Sequence, residues 1–273
     1  MSTVWLNGAL VERGDAHIEI TDRGFLLADG LFETMLARSG HIAWLDEHLS
    51  RLERGAAVLG IPVPFDAAAL GRACEDVLVA TGLRTADRAS LRLTLTRGPG
   101  PRGVAPPKDP HPTVLITASQ AASPPDAMTA ITARTIRRDA ASPLSAVKSL
   151  AYTGMVLARM EADAAGVSEA LILNTEGTLA EATASNVFLV AQDGLVTPPV
   201  SDGALPGIER AAVIGRAREL GVGVREETVP VERLRSASEM FLTNSLIGIC
   251  PLTALDGRIL TVGALTERLI EAG

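Results

Sequence analysis

From Val4 to Leu10 apolar and polar residues alternate with a period of two, broken at Asn7-Gly8, which predicts two short strands joined by a tight turn. Ile18 to Thr21 repeats the alternation, so an antiparallel sheet is expected from the start. Asp22-Arg23-Gly24 and Ala28-Asp29-Gly30 supply turn chemistry before Phe32 to Ala37 resumes a strand pattern, and Ser39-Gly40 turns the chain again. From Asp46 the period changes. Leu49, Leu52, Ala56, Ala57 and Leu59 recur at helical spacing, with Arg51 and Arg54 on or beside the polar edge. A second helix is expected from about Asp66 to Thr81, followed by strands over Ala89 to Thr96 and Thr113 to Ala118. Gly98-Pro99-Gly100-Pro101-Arg102-Gly103 lies between these two strands and satisfies G-x-G-x-x-G. It is not a dinucleotide fingerprint, because Pro106 and Pro107 follow where a helix would have to start. A stiff irregular loop presenting Arg102 is expected instead.

Residues 119–127, which include Ser119-Gln120-Ala121-Ala122-Ser123-Pro124-Pro125-Asp126, have the small, polar, proline-bearing composition of a linker. The reading is therefore a first domain over 1–118 and a second over 128–273. In the second, Thr129 to Thr135 is β-prone and Ser142-Pro143-Leu144 turns the chain into Val147-Lys148. Thr153 to Gly166 is an amphipathic helix. Ala170 to Ala180 reads as a hairpin about Thr175-Glu176-Gly177, with Glu181 at its far end. Ser185 to Val190 is a further strand, Leu205-Pro206-Gly207-Ile208-Glu209-Arg210 opens a helix, and Met240 to Ser245 is a strand running into small polar residues.

Composition narrows the function classes. A chain of 273 residues that is 47% hydrophobic and 21% charged can bury a core of one large or two modest domains. A net charge of -7 without a polybasic run argues against nucleic acid. The start lacks signal-peptide character and no apolar run reaches transmembrane length, so a cytoplasmic protein without membrane contact is expected. Cys74, Cys250 and the histidines His17, His41, His48 and His111 show no metal-ligand spacing and read as structural or surface residues.

The candidate chemistry centres on Lys148. The chain has 25 Lys plus Arg, and lysine occurs only at Lys108 and Lys148, so arginine is used wherever plain positive charge suffices. A lysine can lose its proton when desolvated and attack a carbonyl carbon, which arginine cannot do. Read alone, Lys148 is an ordinary surface lysine, Glu181 a solvated loop acid and Arg51 a solvated helix residue. The sharper alternative makes Lys148 the amine that bonds pyridoxal phosphate, Glu181 the acid facing its ring nitrogen, and Arg51 a guanidinium fork on its phosphate. Tyr152, the only tyrosine, is either a neighbour of the same ligand or a core tyrosine tied to backbone. The helix start at Gly207, Ile208 and Glu209 could receive a phosphate through its N–H groups, with Thr243 or Ser245 as a hydroxyl donor.

Taken in order, from the Asn7-Gly8 hairpin to Leu255-Asp256-Gly257-Arg258, these features resemble the class IV aminotransferases, the fold type IV pyridoxal 5'-phosphate enzymes. The resemblance implies a mixed α/β (α+β) protein with a small N-terminal antiparallel-sheet domain carrying helices, a larger C-terminal pseudo-barrel domain, and a site between domains. It also implies a homodimer whose partner loops close the site. It implies Lys148 as Schiff-base lysine and proton shuttle, Glu181 at the pyridine nitrogen, Arg51 on the phosphate and Leu205 against the ring. Ile208, Glu209 and Ser245 fall near the phosphate, in the company of Tyr152, Gly207, Thr243 and Asn244. D-amino acid transaminases carry a tyrosine where this chain has Phe32 and a histidine where it has Val104, which lowers that reading. Thr243-Asn244-Ser245-Leu246, with Arg102-Gly103 and the segment Ala28 to Thr34, looks most like aminodeoxychorismate lyases. The expected substrate is thus a small anionic amine, met by Phe32, Arg102, Val104 and Leu246. The expected reaction is release of 4-aminobenzoate and pyruvate, with branched-chain or D-amino acid transamination as the alternative.

Overall fold

A computed structural model describes residues 3–273; Met1 and Ser2, counted above in the first domain, lie outside them. The described residues form two compact units, 3–123 with 147–151, and 124–146 with 152–273. The return of 147–151 to the first unit corrects the simple division at the linker.

The first unit contains β1 (Thr3–Leu6), β2 (Ala9–Glu12), α1 (Arg23–Leu27), β3 (Gly30–Arg38) and β4 (His41–Ile42), followed by α2 (Leu45–Leu59), α3 (Ala67–Ala80), β5 (Ala89–Thr96) and β6 (Thr113–Gln120). Its sheet has the order β2-β1-β6-β5-β3-β4 and every pairing is antiparallel. Period-two alternation sends Leu31 and Met35 of β3 into a core with Leu49 and Leu52 of α2, Leu70 and Val77 of α3, and Leu91, Leu93 and Ile116. Ile18 to Thr21 is not a strand. Among the described residues it joins no strand, its one cross-chain backbone contact being Gly100 N donating to Thr21 O at 3.1 Å, and Ile18 and Ile20 are exposed. The segment read as turns after Asp22 instead contains α1, because Asp22 caps it by accepting from Gly24 N at 2.7 Å and is itself buried beneath Thr96 and Thr113. Strand β6 continues to Gln120, so the first two residues of the expected linker are sheet.

The second unit contains β7 (Met128–Thr132), α4 (Thr153–Ala164), β8 (Glu169–Leu173), β9 (Leu179–Ala182), β10 (Asn186–Ala191) and β11 (Gly194–Thr197). It continues through α5 (Ile208–Glu219), β12 (Val224–Glu226), α6 (Val231–Ser236), β13 (Met240–Asn244), β14 (Gly248–Leu255), β15 (Arg258–Ile259) and α7 (Ala264–Glu271). Its strands follow the order β12-β11-β10-β13-β14-β7-β8-β9, with β15 on β14, in a curled half-barrel of mixed direction. One core gathers Leu171, Val187, Leu189, Met240, Leu242 and Leu252; another packs Phe188 and Phe241, stacked with centroids 4.9 Å apart, under Val213 and Leu269. Strand β14 escaped the pattern because Pro251 sits inside it, opposite Phe241. Among the described residues no helix is long and apolar enough to cross a membrane, and no cluster of His, Cys, Asp and Glu could hold a metal.

Candidate active site

In the first unit, Lys148 lies on a stretch that pairs with the start of β3. Phe32 N donates to Lys148 O at 3.0 Å, Leu150 N donates to Gly30 O at 2.9 Å, and Leu31 bridges Ser149. Gly30 permits this approach: a Cβ there would come within 2.5 Å of Leu95 O and 2.9 Å of the Leu150 side chain. Val147, one residue earlier, is buried in the core beside Gly55. The lysine backbone is therefore clamped on both sides. Its half-buried side chain extends over the Phe32 ring, with Nζ 4.5 Å from the centroid, and the Arg92 guanidinium carbon lies 3.8 Å from the same centroid.

On the opposite face of β3, Glu33 points toward α2, where His48 and Arg51 stand one turn apart. Arg51 donates from Nε to Glu33 Oε1 at 2.8 Å and from Nη2 to Oε2 at 2.6 Å, and His48 Nδ1 lies 2.7 Å from Oε2. Burial by itself would raise the Glu33 carboxyl, yet the hydrogen bonds from Arg51 and His48 outweigh it and hold the group below the usual range. Arg51 is thus not on a solvated edge; it is 6% exposed and oriented by a buried acid. The sequence carried a signal for this: an acid on the apolar face of an alternating strand between Leu31 and Met35.

In the second unit, Glu181 lies within β9 opposite Ile172, 6% exposed. Arg138 holds its Oε1 at 2.9 Å, and Leu205 N donates to its Oε2 at 2.9 Å. Arg138 is itself fixed by donation to Gly203 O and Ser145 O. Asn186, at the start of β10, donates to Leu205 O at 2.8 Å, and its Oδ1 lies where a Cβ on Gly207 would fall, 1.9 Å away, so only glycine fits there. Gly207 is the N-cap of α5 and offers no side-chain cap. Across the sheet Asn186 pairs with Thr243, whose Oγ1 is buried and makes no hydrogen bond among the described residues. Asn186 thus ties Glu181, Leu205, Gly207, Ile208 and Thr243 into one neighbourhood. An unmatched buried hydroxyl close to an uncapped helix start has the chemistry of a phosphate cradle, and an anchored carboxylate suits a ring nitrogen, so the donor set fits pyridoxal phosphate.

The remaining candidates divide. Glu209 sits in the first turn of α5, with Arg216 Nη2 3.9 Å from its Oε1. Asn244 is committed to structure: Nδ2 donates to Ser185 Oγ, and Oδ1 accepts from Leu246 N and Ile247 N, which closes the turn carrying Ser245 and Leu246. Tyr152 is half-buried at the start of α4, packed with Met155 and Ala158. Arg102 and Val104 stand on an exposed loop whose carbonyls at Gly103, Val104 and Ala105 are held by Arg23. Arg138, Asn186 and Arg92 were missed from sequence. One arginine among those of the stretch from Arg134 to Arg138 carries no local mark that it faces Glu181.

Comparison with known proteins decides the family: residues 30–255 match the model of amino-transferase class IV. The chain belongs to the class IV aminotransferases. These are enzymes that use pyridoxal phosphate, and the fold is that of fold type IV. This class IV aminotransferase is 37% identical to a putative branched-chain-amino-acid aminotransferase of Methanocaldococcus jannaschii, over 98% of this chain and 94% of the relative. It is 30% identical to a D-alanine aminotransferase of Bacillus licheniformis, over 96% and 91%. A solved putative 4-amino-4-deoxychorismate lyase of Legionella pneumophila superposes with a TM-score of 0.88 at 30% identity, over 95% of each chain. The order expected from the Thr243 to Leu246 turn is therefore revised, with aminotransferase ahead of lyase.

Proposed function

We propose that this enzyme transfers the amino group of branched-chain amino acids to a 2-oxo acid, 2-oxoglutarate or pyruvate. The observation that carries the proposal is the apolar ring of Phe32 beneath the Lys148 amine, at a position where D-amino acid transaminases use a tyrosine to hold the substrate carboxylate. The 37% identity to a putative branched-chain enzyme points the same way. When bound, pyridoxal phosphate supplies a carbonyl carbon to receive the amine and a ring that accepts the electrons left at the substrate carbon. Lys148 takes the proton from that carbon and returns it on the other side of the exchange. Glu181, kept in place by Arg138 and Leu205 N, would keep the ring nitrogen protonated. Arg51, Thr243 Oγ1, Ser245 and the N–H groups of Ile208 and Glu209 would hold the phosphate, Leu205 and Tyr152 would border the ring, and Arg102, Val104 and Leu246 would shape the rim.

A lyase acting on 4-amino-4-deoxychorismate is the second reading, favoured by Thr243-Asn244-Ser245-Leu246. Leucine, isoleucine and valine, D-alanine, and aminodeoxychorismate would each be supplied, and keto acid or 4-aminobenzoate measured. Turnover of the branched-chain substrates at least about tenfold above D-alanine, a gap of roughly 1.4 kcal/mol in transition-state binding, supports the proposal. Formation of 4-aminobenzoate and pyruvate without keto-acid exchange reverses it.

A further inference from the structure

A cavity of about 530 Å³ in the second unit is rimmed by Arg134, Arg137, Arg235 and Arg258, and none of the residues lining it is a candidate for cofactor or substrate. We infer that it is a binding site for a small organic dianion, an acid group or pair of acid groups carried on an apolar body.

The four guanidinium groups come from three parts of the chain: the segment after β7, the last turn of α6, and the first residue of β15. Such convergence stands out in a chain of net charge -7. Among the described residues none of the four forms an ion pair, whereas their neighbours Arg138 and Arg233 are paired with Glu181 and Glu227. Asp256 is the one acid in the lining, and it is turned to Thr132, accepting from Thr132 N and Oγ1 at 2.7 Å each. Glu161, beside the rim, accepts from the backbone N–H groups of Arg134 and Thr135. Four guanidinium groups against the two carboxylates of Asp256 and Glu161 leave a net positive charge at the rim for a ligand.

Two of the cations are preset. Arg258 donates to Ala237 O at 2.5 Å and to Leu234 O at 3.2 Å, and Arg137 donates to Ala133 O at 3.0 Å and Ile136 O at 2.7 Å. Carbonyl partners orient a guanidinium without neutralising it. Arg134, which also faces the Glu161 carboxylate, and Arg235 are exposed and make no side-chain hydrogen bond among the described residues, so both guanidinium groups can close on an anion. Guanidinium forks match phosphate and carboxylate alike. The floor, with Leu173, Leu234 and Leu255, is apolar and suits a hydrocarbon or ring portion rather than an inorganic ion.

The test is calorimetric titration of the cofactor-loaded enzyme with adenosine 5'-monophosphate and, separately, with phthalate. Saturable binding of either, one per chain, weakened on the order of tenfold in Arg134→Ala/Arg235→Ala and unchanged in Arg54→Ala, is the expected result. Whichever probe binds assigns the acid group as phosphate or dicarboxylate. The absorbance of the bound cofactor should be the same in all three proteins, showing that the fold and the cofactor site are intact. Absence of saturable binding by both probes, or equal binding by the double variant, overturns the inference.

Discussion

Around β3 both oxygens of the buried Glu33 are met, by Arg51 and His48, whereas around β13 the buried hydroxyl of Thr243 has no partner among the described residues and α5 begins on a glycine that cannot cap it. Both regions bury polar groups where desolvation is costly. The first satisfies them internally, which orients Arg51 and stiffens the strand that carries Phe32 and pairs with the Lys148 stretch. The second leaves donors for something outside the protein. Where a buried acid is saturated by its own chain, the cluster positions a residue; where a buried donor is unmatched, a ligand is the natural partner.

The largest effect should follow from breaking the saturated cluster. Arg51→Ala leaves Glu33 buried with only His48, which should cost about 3–5 kcal/mol at neutral pH, read by urea unfolding without added pyridoxal phosphate. The sign with pH is fixed. Glu33 is held below its ordinary value of 4.5, so its contribution is complete above that value and fades as pH falls through the lower folded-state value. The penalty of Arg51→Ala should therefore shrink in acid, as the stranded carboxylate takes up a proton. A penalty that stays constant down to acid unfolding would contradict the pairing.

A smaller effect, opposite in sign for stability and binding, should come from the unmatched hydroxyl. Thr243→Val keeps the branched shape and removes Oγ1. Unfolding of the cofactor-free protein should be unchanged or up to about 1 kcal/mol harder, while the affinity for pyridoxal phosphate falls about tenfold. Loss of stability with affinity untouched would place Thr243 in the first category, not the second.

The sequence pattern located the elements that carry the candidate site residues and failed on who faces whom. Strand β3, helix α2, the β8–β9 hairpin with Glu181 and the opening of α5 all follow from alternation, helical spacing and turn residues, which are local. The Ile18 to Thr21 alternation had the same look and made no strand, because alternation does not supply a partner. Residues 147–151 joined the first unit through Leu31 and Gly30, and no local signal reports a strand pairing so distant in sequence. Arg138 and Asn186 were missed for the same reason: an arginine or an asparagine acquires its role from the group placed opposite it. Glu33 was missed too, although its position was legible, since an acid on the apolar face of a strand demands a cation.

Lys148, one of two lysines in the chain, is proposed as the residue that bonds the cofactor. The direct measurement is borohydride reduction of the purified enzyme loaded with pyridoxal phosphate, followed by peptide mass spectrometry. The expected result is a visible absorption band that reduction abolishes, with the phosphopyridoxyl mass on Lys148 and none on Lys108. A label on Lys108, or a protein that stays colourless and unlabelled, contradicts it.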